Sequence, residues 1–213
     1  AVKKLDAKKA ELGLEAVFAV AGKETWVTGL HFTNAALSPE FENVFNAFNA
    51  KKIDFKYSEG MKKLFDLQIN YAKKPVNSVD YSTQVEKLFS LGKVAFMQQG
   101  NWTLGAIKGI DEELAANIGF LPMPIVGAKE DSIPVGIPMY WTVNSTKDEK
   151  TQAAAKAFLN WMYTSEKGKD AIINKFGFIP PFKGFDSPDL QPKDALAKDI
   201  MKSPVKTVEP ESK

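Results

Sequence analysis

The stretch that most constrains this chain is Gly92-Lys93-Val94-Ala95-Phe96-Met97-Gln98-Gln99-Gly100-Asn101-Trp102. Val94 to Met97 is a short, unbroken apolar run between two glycines. A run so short and so bounded reads as a strand covered on both faces, the kind found in parallel sheets. Gly100 then permits a backbone conformation closed to other residues. Asn101 and Trp102 follow at the strand's C-terminal end, where open α/β sheets place their ligand sites. An indole beside an amide suits a sugar. The ring packs on the C–H face of a pyranose, and the amide pairs with hydroxyls. The plainer alternative is a core Trp followed by an Asn turn.

The rest of the chain supplies layers for such a strand. Val2, Leu5 and Leu12 predict a ragged amphipathic helix closed by Gly13, and Leu14 to Val20 a second buried strand. Ala21-Gly22 breaks that strand, and Thr25 opens a helix with Trp26 in its first turn. Ser38-Pro39 starts another, with Phe41, Val44, Phe45 and Phe48 at helical spacing. Ser58 caps a helix whose inner face is Met61, Leu64 and Phe65. Asp80 caps one with Tyr81, Val85, Leu88 and Phe89 on one side. Further strands are predicted at 117–121 and 135–143, the second disturbed by Pro138. Ser145 opens a helix whose core face is Ala154, Ala157, Phe158 and Trp161. Thr164-Ser165 breaks it and caps the next, which Gly177 ends. Residues 187–213 form a weakly structured tail with one faint helix at 193–202. Four strands among many helices make an α/β architecture with a mixed, mostly parallel sheet.

Several function classes fall away. There is no Cys and one His in 213 residues. A disulfide framework, a Cys nucleophile and a metal site built on those ligands are therefore not expected, and no cofactor is implied. A net charge of +2 gives no footprint for nucleic acid. No apolar run approaches a membrane span, and Lys3 to Lys9 read as a helix under way, not a signal peptide. No nucleophile elbow, Walker motif or dinucleotide fingerprint is present. His31 reads as a packing or hydrogen-bonding residue, not a catalytic one. Glu24 beside Trp26 is the one carboxylate at a predicted strand end next to an aromatic, which leaves little for glycosidase chemistry. What remains is a set of aromatics at element ends. Trp26 follows the first strand, Trp102 the second, Tyr140 and Trp141 lie in a third, and Phe178 and Phe182 sit in a proline loop. Together they form a pattern suited to a flat, partly apolar ligand.

These runs resemble the extracellular solute-binding proteins of bacterial sugar ABC transporters, the maltose-binding type among them. The resemblance rests on Asp80-Tyr81-Ser82-Thr83-Gln84 through Phe89 and on Gly92 to Trp102. It continues through Asn117 to Pro124, Val135-Gly136 to Asn144, Ala154 to Gly168, and Phe176 to Pro181. In that family a helix leads into a strand that delivers a stacking Trp. The resemblance implies a periplasmic-binding-protein-like lobe of type II over residues 1–186, the C-terminal one of two, with the N-terminal lobe absent from this stretch of chain. It implies Trp102 as stacking platform with Asn101 beside it. Trp26 and Glu24 match the cleft segment after the first strand, and Gly136, Met139 and Tyr140 the cleft-lining strand. It further implies a carbohydrate ligand, the ABC permease subunits as partners, an extracytoplasmic location, and a lipid anchor on the full-length protein. No catalysis is implied. A polyamine or peptide ligand on the same fold, and a carbohydrate-active enzyme domain, are the alternatives.

Overall fold

In the computed structural model, which describes residues 1–41, 43–128, 134, 140–178 and 184–185, the two central runs form the predicted parallel pair. β1 (Ala16–Ala19) lies beside β2 (Val94–Met97), with Ala16 opposite Val94 and Phe18 opposite Phe96. On its other edge β1 meets a rudimentary third strand. Phe18 bridges Ala72 in parallel, and the N–H groups of Val17 and Phe18 donate to the Tyr71 carbonyl at 3.1 and 3.0 Å. The Lys73 N–H returns to the Phe18 carbonyl at 3.0 Å. The order across the sheet is therefore 72, β1, β2.

The chain divides into two compact units between Val135 and Gly136. In the first, α1 (Val2–Lys8) runs into turns closed by Gly13, whose φ of 70° favours glycine. α2 (Thr25–Phe32) continues as a π-helical turn over Thr33–Leu37, and the Asn43 cap opens α3 (Val44–Asn49). α4 (Ser58–Asn70) puts Leu64 into a core with Phe32, Ala36 and Ile125, and Phe65 stacks on Phe32 at 3.7 Å between centroids. Asp80 caps the next helical segment as expected, accepting from Thr83 N–H at 2.9 Å. That segment is wound as a π-helix over Thr83–Phe89, so Ser90 N–H reaches the Val85 carbonyl at 2.9 Å, five residues back. It lays Val85 and Leu88 against the sheet and its neighbours. Leu88 joins Ala16, Ala19, Val79 and Val94, while Val85 joins Ile107 of α5 (Leu104–Ile110) and Ala115 of α6 (Glu112–Ala116).

In the second unit, α7 (Glu149–Thr164) and α8 (Glu166–Asp170) meet at Ser165, whose hydroxyl caps α8 by accepting from Gly168 N–H at 3.0 Å. Met162, Ile172, Ile173 and Phe185 form its core.

Four expectations are corrected. Residues 118–121 are not a strand. Pro122 and Pro124 remove donors, and no ladder hydrogen bond reaches the segment among the described residues. Of the strand read at 135–143, the described part, 140–143, has no regular structure, so the sheet among the described residues is small and parallel, not mixed and four-stranded. Ser38-Pro39 does not start the helix that carries Phe45 and Phe48; it forms one 3₁₀ turn, Ser38–Glu40. The Asn43 cap leaves Phe41 outside α3, and Phe48 is 86% exposed. On α7 the cap is Asp148, not Ser145, and Trp161 is not core: Phe158 and Trp161 are 57% and 46% exposed. α7 carries a second stripe, Leu159, Met162 and Tyr163, also at helical spacing, and the unit's core takes that one.

Candidate functional site

The strand order decides where a crevice opens. From β1 the chain crosses to the 71–73 edge and then returns to β2 on the opposite side. Connections that leave in opposite directions part the chain above the C-terminal ends of β1 and β2, the position that takes ligands in open α/β sheets. One wall is the exit of β1, Val20 to Trp26. The other is the exit of β2, Gln98 to Trp102.

Each wall is fixed by its own hydrogen bonds. Lys23 N–H donates to the Val79 carbonyl at 3.0 Å, and Tyr81 N–H donates to Glu24 Oε1 at 3.4 Å. These pull the start of α2 onto the start of the Tyr81 helix. On the other wall Asn101–Thr103 form one 3₁₀ turn after Gly100. Buried Thr103 locks it, its hydroxyl donating to the Gly100 carbonyl at 3.0 Å.

The two walls bring four rings together. Trp26 lies 6.4 Å from Trp102 between centroids, tilted by 44°, and 5.8 Å from Tyr81. His31, from the last turn of α2, stands edge-on to Trp26 at 5.8 Å and lies 5.9 Å from Trp102. Burial first, then the Glu86 carboxylate, pushes the Tyr81 phenol above its ordinary pKa, against a smaller pull from the neighbouring Trp102 indole N–H. Both indoles stay substantially open, Trp26 40% and Trp102 48% exposed. A pyranose held between two rings needs about 7–8 Å between them, two ordinary carbon contacts. The observed 6.4 Å is too narrow. A ligand sandwiched here must therefore move Trp102, the ring on the shorter and more open wall.

Gly100 corrects one expectation. Its φ of −87° and ψ of 169° suit any residue. Glycine is required for space: a Cβ would meet three Trp102 ring atoms at 2.0–2.3 Å. Gly100→Ala is expected to displace the indole while leaving the backbone in place. Near-UV circular dichroism should lose a tryptophan band, with the far-UV spectrum and Tm nearly unchanged. An unaltered near-UV spectrum would contradict the seating of Trp102 on Gly100.

A second opening, a groove of ≈ 450 Å³, lies on the other side of the β1 end, lined by Val20, Gly22, Phe65, Ile69, Pro75 and Val76 among others. Its ammonium, Lys74, is committed to the Ile69 carbonyl. It lacks the convergent polar groups that fix a ligand. Among the described residues no cluster of His, Asp and Glu is arranged to hold a metal.

Comparison with known families settles what kind of chain carries these rings. Residues 3–199 match the bacterial extracellular solute-binding proteins. The chain belongs to that family. No curated protein and no solved structure matches it. Membership places this solute-binding protein outside the cytoplasm and gives it a solute to bind. Among the described residues no helix is long and apolar enough to cross a membrane.

Of the site residues read from sequence, the structure gathers Trp26, Glu24, Asn101 and Trp102 around the β1 and β2 exits. Asn101 opens the 3₁₀ turn and is partly buried. Gly136 and Met139, with Phe182, lie outside the described residues. Tyr140 belongs to the second unit and is 80% exposed. Its neighbour Trp141 donates its indole N–H to the Tyr163 hydroxyl at 2.8 Å. Three residues that brace or adjoin these rings were not singled out as site residues from sequence: His31, Thr103 and Gln84. Trp26 and His31 are five residues apart, 140° around a helix, so periodicity does not place them on one face. The Trp26 ring is large enough to reach across.

Proposed function

We propose that this solute-binding protein captures a carbohydrate for an ABC importer, stacking it on Trp102 and Trp26. The observation that carries the reading is the pair of half-open indoles at the β1 and β2 exits, with amides and a phenol around them. Aromatic faces take the C–H side of a sugar, and neutral polar groups take its hydroxyls. A polyamine would need carboxylates facing the rings. The cluster offers Glu24, one of whose oxygens already accepts from the Tyr81 N–H. Asn101 is the hydrogen-bonding neighbour of the stacked ring. Gly136, Met139 and Tyr140 are assigned to the same cleft by resemblance. In this reading the chain is a lobe of a type II binding protein. A second lobe closes over the ligand about a hinge, and the permease subunits read the closed form. A lipid anchor on the full-length protein would hold it at the membrane.

The test is a tryptophan-fluorescence titration of the full-length protein with glucose, maltose, cellobiose and xylobiose. Saturable quenching by at least one is the expected result, and silence from all would remove the carbohydrate assignment. Trp102→Ala is expected to weaken binding by about 1–2 kcal/mol, roughly 5- to 30-fold. Unchanged affinity would take Trp102 out of the site.

A further inference from the structure

Buried polar atoms in folded proteins are satisfied almost without exception, so an unsatisfied one calls for an explanation. His31 carries such an atom. Its Nε2 is shut off from solvent and has no hydrogen-bond partner among the described residues. Two indoles pack over its ring: Trp26 at 5.8 Å and Trp102 at 5.9 Å between centroids, themselves 6.4 Å apart. Trp26 is anchored on α2 itself. Trp102 is half exposed and sits on a three-residue turn. Its ring rests in the space left by a missing Cβ at Gly100. The cover over His31 is thus the same ring that a sandwiched ligand has to move.

We propose that His31 is a ligand-binding residue of this site, its neutral imidazole Nε2 accepting a hydrogen bond from a ligand hydroxyl once the Trp102 indole swings away. The inference rests on the carbohydrate reading for the class of ligand, a neutral polyhydroxylated one. It adds the polar contact on the floor between the stacking rings. A hydroxyl donor requires the imidazole to be neutral. Burial already lowers the His31 pKa from its ordinary value, which keeps that form in place at neutral pH. No charge counters this. The titratable groups on the surrounding elements include Glu24 at the start of α2, Asp80, Tyr81, Glu86 and Lys87 on the Tyr81 helix, and Lys108 on α5. None of them contributes to the shift of His31, for which burial is the one cause.

His31 is the single histidine of these 213 residues, and the His31→Phe spectrum assigns its Cε1 proton in the full-length protein by the signal it lacks. Two measurements on the full-length protein test the inference. Without ligand, Trp102→Ala should raise the His31 pKa toward 6.5, because the cover that causes the shift is gone. An unchanged pKa would overturn the covering role. With whichever of glucose, maltose, cellobiose or xylobiose quenches the wild type, the His31 signal should shift on binding. Affinity should fall as pH drops through the His31 pKa of the ligand-free protein, which lies below the ordinary histidine value, since protonation removes the acceptor. His31→Phe should weaken binding about 3- to 10-fold and abolish that pH dependence, while His31→Gln restores part of the affinity with no pH dependence. A sugar that binds the wild type without moving the His31 signal, and binds His31→Phe equally well, overturns the inference and leaves the carbohydrate reading standing. Silence from all four sugars overturns both.

Discussion

Ile107→Ala is expected to lower the stability of the first unit by about 2–5 kcal/mol, the range for truncating a fully buried aliphatic side chain. Ile107 is 1% exposed and packs with Val85 and Ala115, ringed by Tyr81, Phe89, Met97, Leu104, Leu114 and Ile118. Those neighbours come from the Tyr81 helix, β2, α5, α6 and the segment after it, so no single element can relax to fill the gap. The change removes apolar contact and leaves a cavity, and both terms have the same sign. Guanidinium unfolding of wild type and variant, followed by far-UV circular dichroism, would show a lower midpoint at an unchanged slope. Ile110, three residues on in the same helix, is 44% exposed and serves as the control. Its truncation should cost well under 1 kcal/mol. Equal effects at the two positions would mean that α5 does not face the core as described.

This residue shows what the sequence can and cannot reveal. Ile107 lies in a helix that its flanking Gly105 and Gly109 weaken, so pattern marks an unremarkable turn. Its weight comes from where the turn lands, over Val85, and that is set by tertiary packing. Features governed by local chemistry were legible: the strand ended by Gly100, the Asp80 cap, the Ser165 cap, and the left-handed glycines Gly13, Gly92 and Gly177. Legibility failed where two solutions satisfy one pattern. α7 offers two apolar stripes, and periodicity alone cannot say which one meets Ile172 and Ile173. It failed also at 117–121, because an apolar run becomes a strand only with a partner. In the site, Trp26 and Trp102 were legible as aromatics at strand ends. Polar residues that serve them from inside were not, since nothing in a sequence marks a glutamine or histidine as buried.

Gln84 is the strongest example and carries the second large effect. Its side chain is fully buried, at 0% exposure. Its Nε2 donates to the Ala19 carbonyl at 2.8 Å, and its Oε1 accepts from Gln99 Nε2 at 2.8 Å. Ala19 is the last residue of β1, and Gln99 lies two residues beyond β2. One amide therefore ties together both strand exits that carry the ring cluster. Gln84→Leu keeps the volume but leaves the Ala19 carbonyl and the part-buried Gln99 amide N–H unmatched. A buried group so stranded costs about 1–3 kcal/mol and a part-buried one less, so the expected loss is roughly 2–4 kcal/mol. Gln99→Leu alone should cost less, because Gln99 Oε1 is already buried without a partner among the described residues and its removal relieves that penalty. The double variant Gln84→Leu/Gln99→Leu should then be less destabilised than the sum of the two single variants, since removing both partners leaves only the Ala19 carbonyl stranded. Strict additivity by chemical unfolding would argue that the two amides act separately. Coupling would instead mean that the spacing of the two walls, and with it the separation of Trp26 and Trp102, is held by a polar link beneath the rings. In that case Gln84→Leu should weaken solute binding at temperatures where the protein is still fully folded.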